Sequence, residues 1–352
     1  MKPLIEHITA HFAKKKPFVA YALPNSKVVT GLFQRDEQLY LANDLQEDGF
    51  VFAPFHEGHT VLIPESKCLK LEFDLELMQA EPQPLEMEHD LAEQLRYEGL
   101  VEKALLFLRK SQSSKVVTSR MQEVPLKSLD LPLIVNRLMG MYSGAFRYVL
   151  FHPAVGIWAG ASPETLLEIK ENSFNTMALA STQRFFAGRE PRWTRKEIDE
   201  QQVVADDIAT KLHQAATVVK VHKTKNHRAG SLVHLRTDFT GVFKKGSNNI
   251  SVLVDTLHPT PAVCGTPRRK ALEFILNNEG YKRHYYTGYL GVIDSAQNSS
   301  RLFVNLRCMQ LDDQRSYLYV GGGITKESVA KLEWEETCNK LQTMLQVLAP
   351  LL

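Results

Sequence analysis

The sequence is poor in the residues that would mark a secreted, metal-clipped or membrane chain. Only four cysteines occur in 352 residues, Cys68, Cys264, Cys308 and Cys338, and no two form a C-x-x-C pair. That spacing excludes a zinc knuckle and a thioredoxin-type redox motif, and such sparse cysteines read as buried thiols of a reducing compartment. No run of about 18 apolar residues is present, so no membrane-spanning helix is expected. The opening MKPLIEHITAHFAKKKPF lacks the apolar core of a secretory signal. A cytoplasmic location is the expectation. Charge of one sign is also missing. Lys and Arg number 42 against 40 Asp and Glu, a net +2, so no bulk field favours nucleic acid or an anionic membrane.

What is present suits a large folded core. Apolar residues make up 44% of the chain and charged residues 23%, and a chain of this length buries enough surface to fold without staples. FVAYAL, VVTGLFQ and GFVFAPF are short, β-branched and aromatic, and read as strands. AEPQPLEMEHD, with two prolines and several acids, is the best linker candidate. DLAEQLRYEGLVEKALLFLRKS has helical spacing with Asp90 as N-cap, and SKVVTSR is strand-like. Further on, LIVNRLMGMY looks helical, and FRYVLFHPAVGIWAGASPETLLEIK reads as strands around turns. RKEIDEQQVVADDIATKLHQAATVVK has no Gly or Pro and predicts one long helix. LVHLRTDFTGVF reads as a strand, and RRKALEFILNNEG as a helix ending near Gly280. YTGYLGVID, RLFVNLRCMQL and SYLYVGGGI read as three successive strands, and a final helix runs from about Lys326 to Val347. Strand runs joined by turns predict an antiparallel sheet with helices packed outside.

Two acidic pairs and three single residues carry candidate chemistry. In KLEWEETCNKL, Glu333, Glu336 and Lys340 share one helix face, whereas Glu335 points elsewhere. The stretch follows GGGI, whose glycines let backbone amides approach an anion. Glu336 and Lys340 read equally as a surface pair worth ~0.3–0.5 kcal/mol. Glu197 and Glu200, in RKEIDEQQ, repeat the i,i+3 spacing. Two such pairs on separate helices could face each other around a hard cation, and carboxylates without His or Cys suit Mg²⁺. They could equally be two solvated faces. Glu164 follows a Gly-Ala-Ser-Pro turn, where it is either a rigidly held general acid or the first turn of a helix. Lys115 opens a strand, as a snorkelling charge or as a buried base. Arg307 alternates with apolar neighbours, either as a carboxylate clamp or facing solvent.

The order of the motifs decides what no single one does. KVVTSR, GASPETLL, ALASTQR, KEIDEQQVV, LVHLRTDFTG, LHPTPAVCGTPRRKA, YYTGYLGVID, NLRCMQL, GGGI and EWEETCNKL occur in that sequence. The chain resembles the chorismate-utilising enzymes, and within them the isochorismate synthases, from about Asp90 to Val347. The resemblance implies an α/β (α+β) fold of two packed, mostly antiparallel sheets with helices outside. It implies one chorismate-binding domain over 1–352, with a variable part over 1–85 and the family motifs over 90–347.

The resemblance also implies Mg²⁺-dependent conversion of chorismate to isochorismate. Glu200 and Glu336 look like direct metal ligands, and Glu197 and Glu333 like a water-mediated outer pair. Arg307, the amides of Gly321 and Gly322, and Lys340 look like a clamp for the enolpyruvyl carboxylate. Lys115 resembles the base that activates water for attack at C2, with Glu164 as the acid that protonates the departing C4 hydroxyl. Aminating relatives typically lack that lysine. Ala180 stands where aminodeoxychorismate synthases often carry a lysine, which argues against a covalent adduct. Ser181 replaces the family's usual glycine and, with Thr182 and His234, is expected at the substrate. Salicylate synthase is the nearest alternative; an anthranilate synthase-like enzyme and a non-catalytic chorismate-binding protein stand further off. A monomer without a glutaminase subunit is expected. Menaquinone, siderophore and salicylate routes all remain open to the product.

Overall fold

The alternating apolar pattern becomes strands, and the 3.6-residue pattern becomes helices packed on them. The computed structural model describes residues 1–75, 85, 90–186, 188–230, 232–243 and 250–352, with backbone only at 215 and 217. The chain begins α1 (Lys2–Ala13), β1 (Phe18–Ala22), β2 (Val28–Gln34), β3 (Tyr40–Leu41), β4 (Gly49–Ala53), β5 (Val61–Pro64) and β6 (Cys68–Asp74). Next come α2 (Leu91–Lys110), β7 (Lys115–Pro125), α3 (Leu131–Met141), β8 (Phe146–His152), β9 (Gly156–Ser162), β10 (Thr165–Lys170) and β11 (Ser173–Arg184). Then follow α4 (Arg195–Ala215), β12 (Ala216–Val221), β13 (Lys225–Ala229), β14 (Leu232–Phe243), α5 (Ile250–Leu257), β15 (Gly265–Thr266) and α6 (Arg268–Asn278). The closing elements are β16 (Tyr289–Asp294), β17 (Ser299–Val304), β18 (Cys308–Leu311), β19 (Arg315–Ile324) and α7 (Ala330–Leu348).

The strands form two sheets whose pairings are antiparallel. One runs β15-β7-β19-β18-β9-β8-β1-β2-β6; the other runs β12-β14-β11-β10-β17-β16-β4-β5-β3, with β13 on β14. The strands before residue 75 are therefore woven into both sheets. An aromatic layer joins them. Phe146 of one sheet stacks on Phe303 of the other at 4.3 Å, and Phe52 meets Trp158 edge-on at 5.8 Å. Such ring pairs add about 0.5–1.5 kcal/mol beyond area burial. Outside, α1, α3 and α7 cover the first sheet and α4 and α5 cover the second.

Local chemistry explains the helix ends. Asp90 caps α2 by accepting the amide of Glu93 at 3.0 Å, and Tyr97, Val101, Ala104 and Leu108 form its buried stripe. Thr194 and Glu197 form a capping box at the start of α4.

Three expectations change. The long helix stops at Ala215, because the following valines pair with β14 as β12. RLFVNLRCMQL is two strands, since the chain leaves one sheet after Val304 and enters the other at Cys308. The last helix starts at Ala330 rather than Lys326. The linker candidate at 80–90 lies outside the described residues apart from Leu85 and Asp90.

Two crossings between the sheets place the site. The chain passes from β9 to β10 through Pro163 and Glu164, and from β17 to β18 through Asn305, Leu306 and Arg307. The crossings are bonded together: the Val304 amide donates to the Glu164 carbonyl and the Ala161 amide to that of Arg307, each at 3.0 Å.

Candidate active site

A cavity opens at these crossings, and most of the sequence-predicted residues face it. Lys115, Glu164, Ser181, Thr182, Glu200, His234, Arg307, Gly321, Gly322, Glu336 and Lys340 all line it. Each arrives from a different part of the chain. Lys115 is the first residue of β7, and the glycines lie on β19 beside it. β18 pairs with β19 only as far as Tyr319, so among the described residues the edge beyond carries no strand partner on that side. Ser181, Thr182 and His234 come from β11 and β14 of the other sheet. Glu200 comes from α4, and Glu336 and Lys340 come from α7.

Arg307 does not alternate within a strand. It sits in the second crossing with φ +47°, a conformation that only a fixed corner holds in a non-glycine residue. Glu164 likewise does not open a helix; Ser162 and Pro163 turn it into the cavity, where it is buried. Burial raises its carboxyl from the ordinary 4.5 to about 8, against the pull of Lys115, Arg307 and Lys340. It is therefore largely protonated at neutral pH, as a proton donor must be.

Three carboxylates near the cavity are each matched by a lysine. Lys115 Nζ is 2.9 Å from Glu200 Oε1, Lys196 Nζ is 2.8 Å from Glu333 Oε1, and Lys340 Nζ is 2.6 Å from Glu336 Oε1. Burial works against the Glu200 charge, but Lys115 and Lys196 outweigh it and hold the carboxyl below its usual value. Glu333 is pushed up by burial and by Glu336, against Lys196. Lys340 also donates to the Gly321 carbonyl at 2.8 Å, which ties α7 to β19.

The glycines let the carboxylates approach the strand closely. A Cβ at Gly323 would stand 2.3 Å from Glu200 Oε1, and one at Gly322 would stand 3.3 Å from Glu333 Oε2. Glu333 Oε2 is buried without a protein partner. An all-oxygen donor set with an unsatisfied buried carboxylate oxygen fits a hard cation. Among the described residues, no three His, Cys, Asp or Glu side chains already form a cage for an ion. A cation held here would complete its shell from water or ligand.

Glu197 is set apart. Its Oε2 accepts the Thr194 amide at 2.7 Å in the helix cap and its Oε1 accepts Gln183 Nε2 of β11 at 2.8 Å, so both oxygens already have protein donors. Glu333 stands behind the cavity lining rather than on it. Glu335 is exposed.

His234 is buried. Its Nδ1 lies 3.0 Å from the Ser181 carbonyl, which can only accept, so Nδ1 carries the proton. Burial, then Arg307 and Lys340, keep the ring well below its usual value and hence neutral. Nε2 is left buried without a protein partner, and a ligand hydroxyl or water would satisfy it.

Sequence reasoning misses several residues. Lys196 stands next to Glu197 and four before Glu200, a spacing that could have been read as an ion-pair position. Tyr286, Thr287 and Val263 also line the cavity. They lie within the segments YYTGYLGVID and LHPTPAVCGTPRRKA, but only tertiary contacts single them out.

Comparison with known proteins adds to this geometry. A sequence profile of the family described as chorismate binding enzyme matches residues 65–349. The salicylate biosynthesis isochorismate synthase of Pseudomonas aeruginosa is 30% identical over 266 residues, covering 73% of this chain and 55% of that protein. The isochorismate synthase EntC of Escherichia coli is 29% identical over 267 residues, 73% of this chain and 68% of that one. The chain thus spans little more than half the length of the first relative. The crystal structure of DhbC from Bacillus anthracis superposes with a TM-score of 0.80 at 22% identity, covering 96% of this chain and 97% of that chain. This last likeness establishes the shared fold.

Proposed function

Because the chain belongs to the chorismate-binding enzyme family, we propose that it converts chorismate to isochorismate. The observation that carries this reading is the pairing of a buried lysine, Lys115, with a buried, largely protonated carboxyl, Glu164, on one cavity. The displacement needs a base for the incoming water and an acid for the departing hydroxyl. Lys115 takes a proton from water as its oxygen bonds to C2, and Glu164 gives a proton to the leaving C4 oxygen. Both conjugated ring double bonds shift as the C4–O bond breaks, so no redox partner is required. Lys115 donates to Glu200 in this structure, and to act as base its nitrogen must first give up one ammonium proton, so that a lone pair is free to take the proton from water.

The dianionic substrate explains the cations. Arg307, Lys340 and the edge-facing amide of Gly321 suit one carboxylate, whereas the Gly322 amide faces Thr118 of β7. Glu200 and Glu336 would hold Mg²⁺, with Glu333 reaching it through water, and the metal would bind the ring carboxylate and neutralise these glutamates. Glu197 supports α4 from its cap. His234 Nε2 accepts a hydrogen bond from substrate or water. We place the enzyme in the cytoplasm as a monomer without a glutaminase subunit, feeding menaquinone or siderophore synthesis.

Incubation with chorismate and Mg²⁺, followed by chromatography, tests the reading. Isochorismate without pyruvate is expected. Absence of isochorismate, with anthranilate formed when ammonia is supplied, would sink it.

A further inference from the structure

Ser181 occupies a position that does not favour a side chain. β11 and β14 pair Ala180 with Leu235 and Thr182 with His234, so Ser181 is the extra residue of a bulge. Its φ is +60°, in the left-handed region that favours glycine. The hydroxyl of a serine held there is placed by its hydrogen bonds.

That hydroxyl faces α4. Ser181 Oγ lies 2.6 Å from the Glu197 carbonyl in the helix's first turn and 3.3 Å from Glu200 Oε2. One hydroxyl proton serves both acceptors, the shorter contact dominating. The other oxygen of Glu200 is held by Lys115. The Ser181 carbonyl meanwhile fixes the His234 ring.

We propose that Ser181 is a positioning residue for Glu200. Its hydroxyl ties the β11 bulge to the start of α4, and so sets where the Glu200 carboxylate stands between Lys115 and the glycines of β19. The inference rests on the proposed cation role of Glu200. A partner that orients a metal-ligating carboxylate is worth about tenfold or more in metal affinity.

Two variants separate the hydroxyl from the backbone. Ser181→Gly removes the hydroxyl and relieves the left-handed strain, whereas Ser181→Ala removes the hydroxyl and keeps the strain. Mg²⁺ binding to the full-length protein is measured by calorimetry with magnesium chloride alone, and unfolding temperature is recorded alongside. We expect both variants to bind Mg²⁺ about tenfold more weakly, with the glycine variant unfolding no earlier than wild type. Loss of affinity in only one variant, in neither, or a wild type without measurable Mg²⁺ binding overturns the proposal. Product chromatography on the wild type tests the catalytic reading separately.

Discussion

Lys115 Nζ donates to Glu200 Oε1 across 2.9 Å, with both side chains withdrawn from solvent. Removing one partner strands a buried charge and costs about 3–5 kcal/mol, whereas replacing both by neutral groups of similar shape costs far less. Lys115→Met should therefore lower unfolding free energy by that amount, and Lys115→Met with Glu200→Gln should recover most of it. Neither variant should form isochorismate. Urea denaturation reads the first effect and product chromatography the second. Turnover at the wild-type rate in Lys115→Met would remove the lysine from the chemistry.

Glu164 predicts a pH dependence with a definite sign. Its carboxyl rises from 4.5 to about 8 on folding, first through burial. Below 4.5 folded and unfolded chains both keep the proton, and between 4.5 and about 8 the unfolded chain releases it while the folded chain holds it. This group's contribution to stability therefore falls as pH rises through that window and levels off above it. Glu164→Gln should gain stability relative to wild type across the same window. Turnover should decline as pH rises through about 8, because the acid then lacks its proton. A basic limb that persists in a still-active Glu164→Gln would assign that limb to another group.

Much of this site is legible in the sequence, and the parts that are not share a cause. Glu336 and Lys340 read as one helix face because the i,i+4 relation is local. Asp90 reads as a cap for the same reason. Arg307 reads as part of an alternating strand, because nothing in FVNLRCM marks the passage from one sheet to the other. Lys196 escapes notice because its partner, Glu333, is 137 residues away. The GGGI glycines read as close-approach positions. That Gly323 faces Glu200 and Lys115 depends on β19 lying against β7.

The three glutamates of KLEWEETCNKL should separate by experiment. Glu335 is exposed and Glu336 lines the cavity, paired with Lys340 at 2.6 Å. Glu336→Gln should raise the Mg²⁺ concentration for half-maximal turnover about tenfold or more. Glu335→Gln should leave it unchanged. Glu333→Gln should give an intermediate rise if, as proposed, that carboxylate reaches the cation through one water. Mg²⁺ titration of the initial rate checks all three, and an unchanged requirement in Glu336→Gln would remove that residue from the metal site.

A second buried ion pair should respond differently from the first. Arg283 Nε donates to Glu279 Oε2 at 2.8 Å, and the same guanidinium reaches the carbonyls of Val117 and Val263, each at 2.8 Å. Glu279 Oε1 in turn accepts the Ser119 amide at 2.8 Å and the Ser119 hydroxyl at 2.9 Å. The pair thus joins β7 to the segment that carries Val263 on the cavity wall, with Phe55 under the guanidinium at 4.5 Å. Glu279→Gln or Arg283→Met alone should cost about 3–5 kcal/mol. Replacing both, as Arg283→Met with Glu279→Leu, should not recover it. Two carbonyls and an amide would then be buried without partners, at about 1–3 kcal/mol each. Lys115 and Glu200 bond to each other through side chains alone, so their joint replacement strands no such backbone groups between them. Urea denaturation of the two double variants side by side is the measurement. Recovery of stability in the Arg283→Met, Glu279→Leu variant would show that the backbone contacts around Arg283 contribute little.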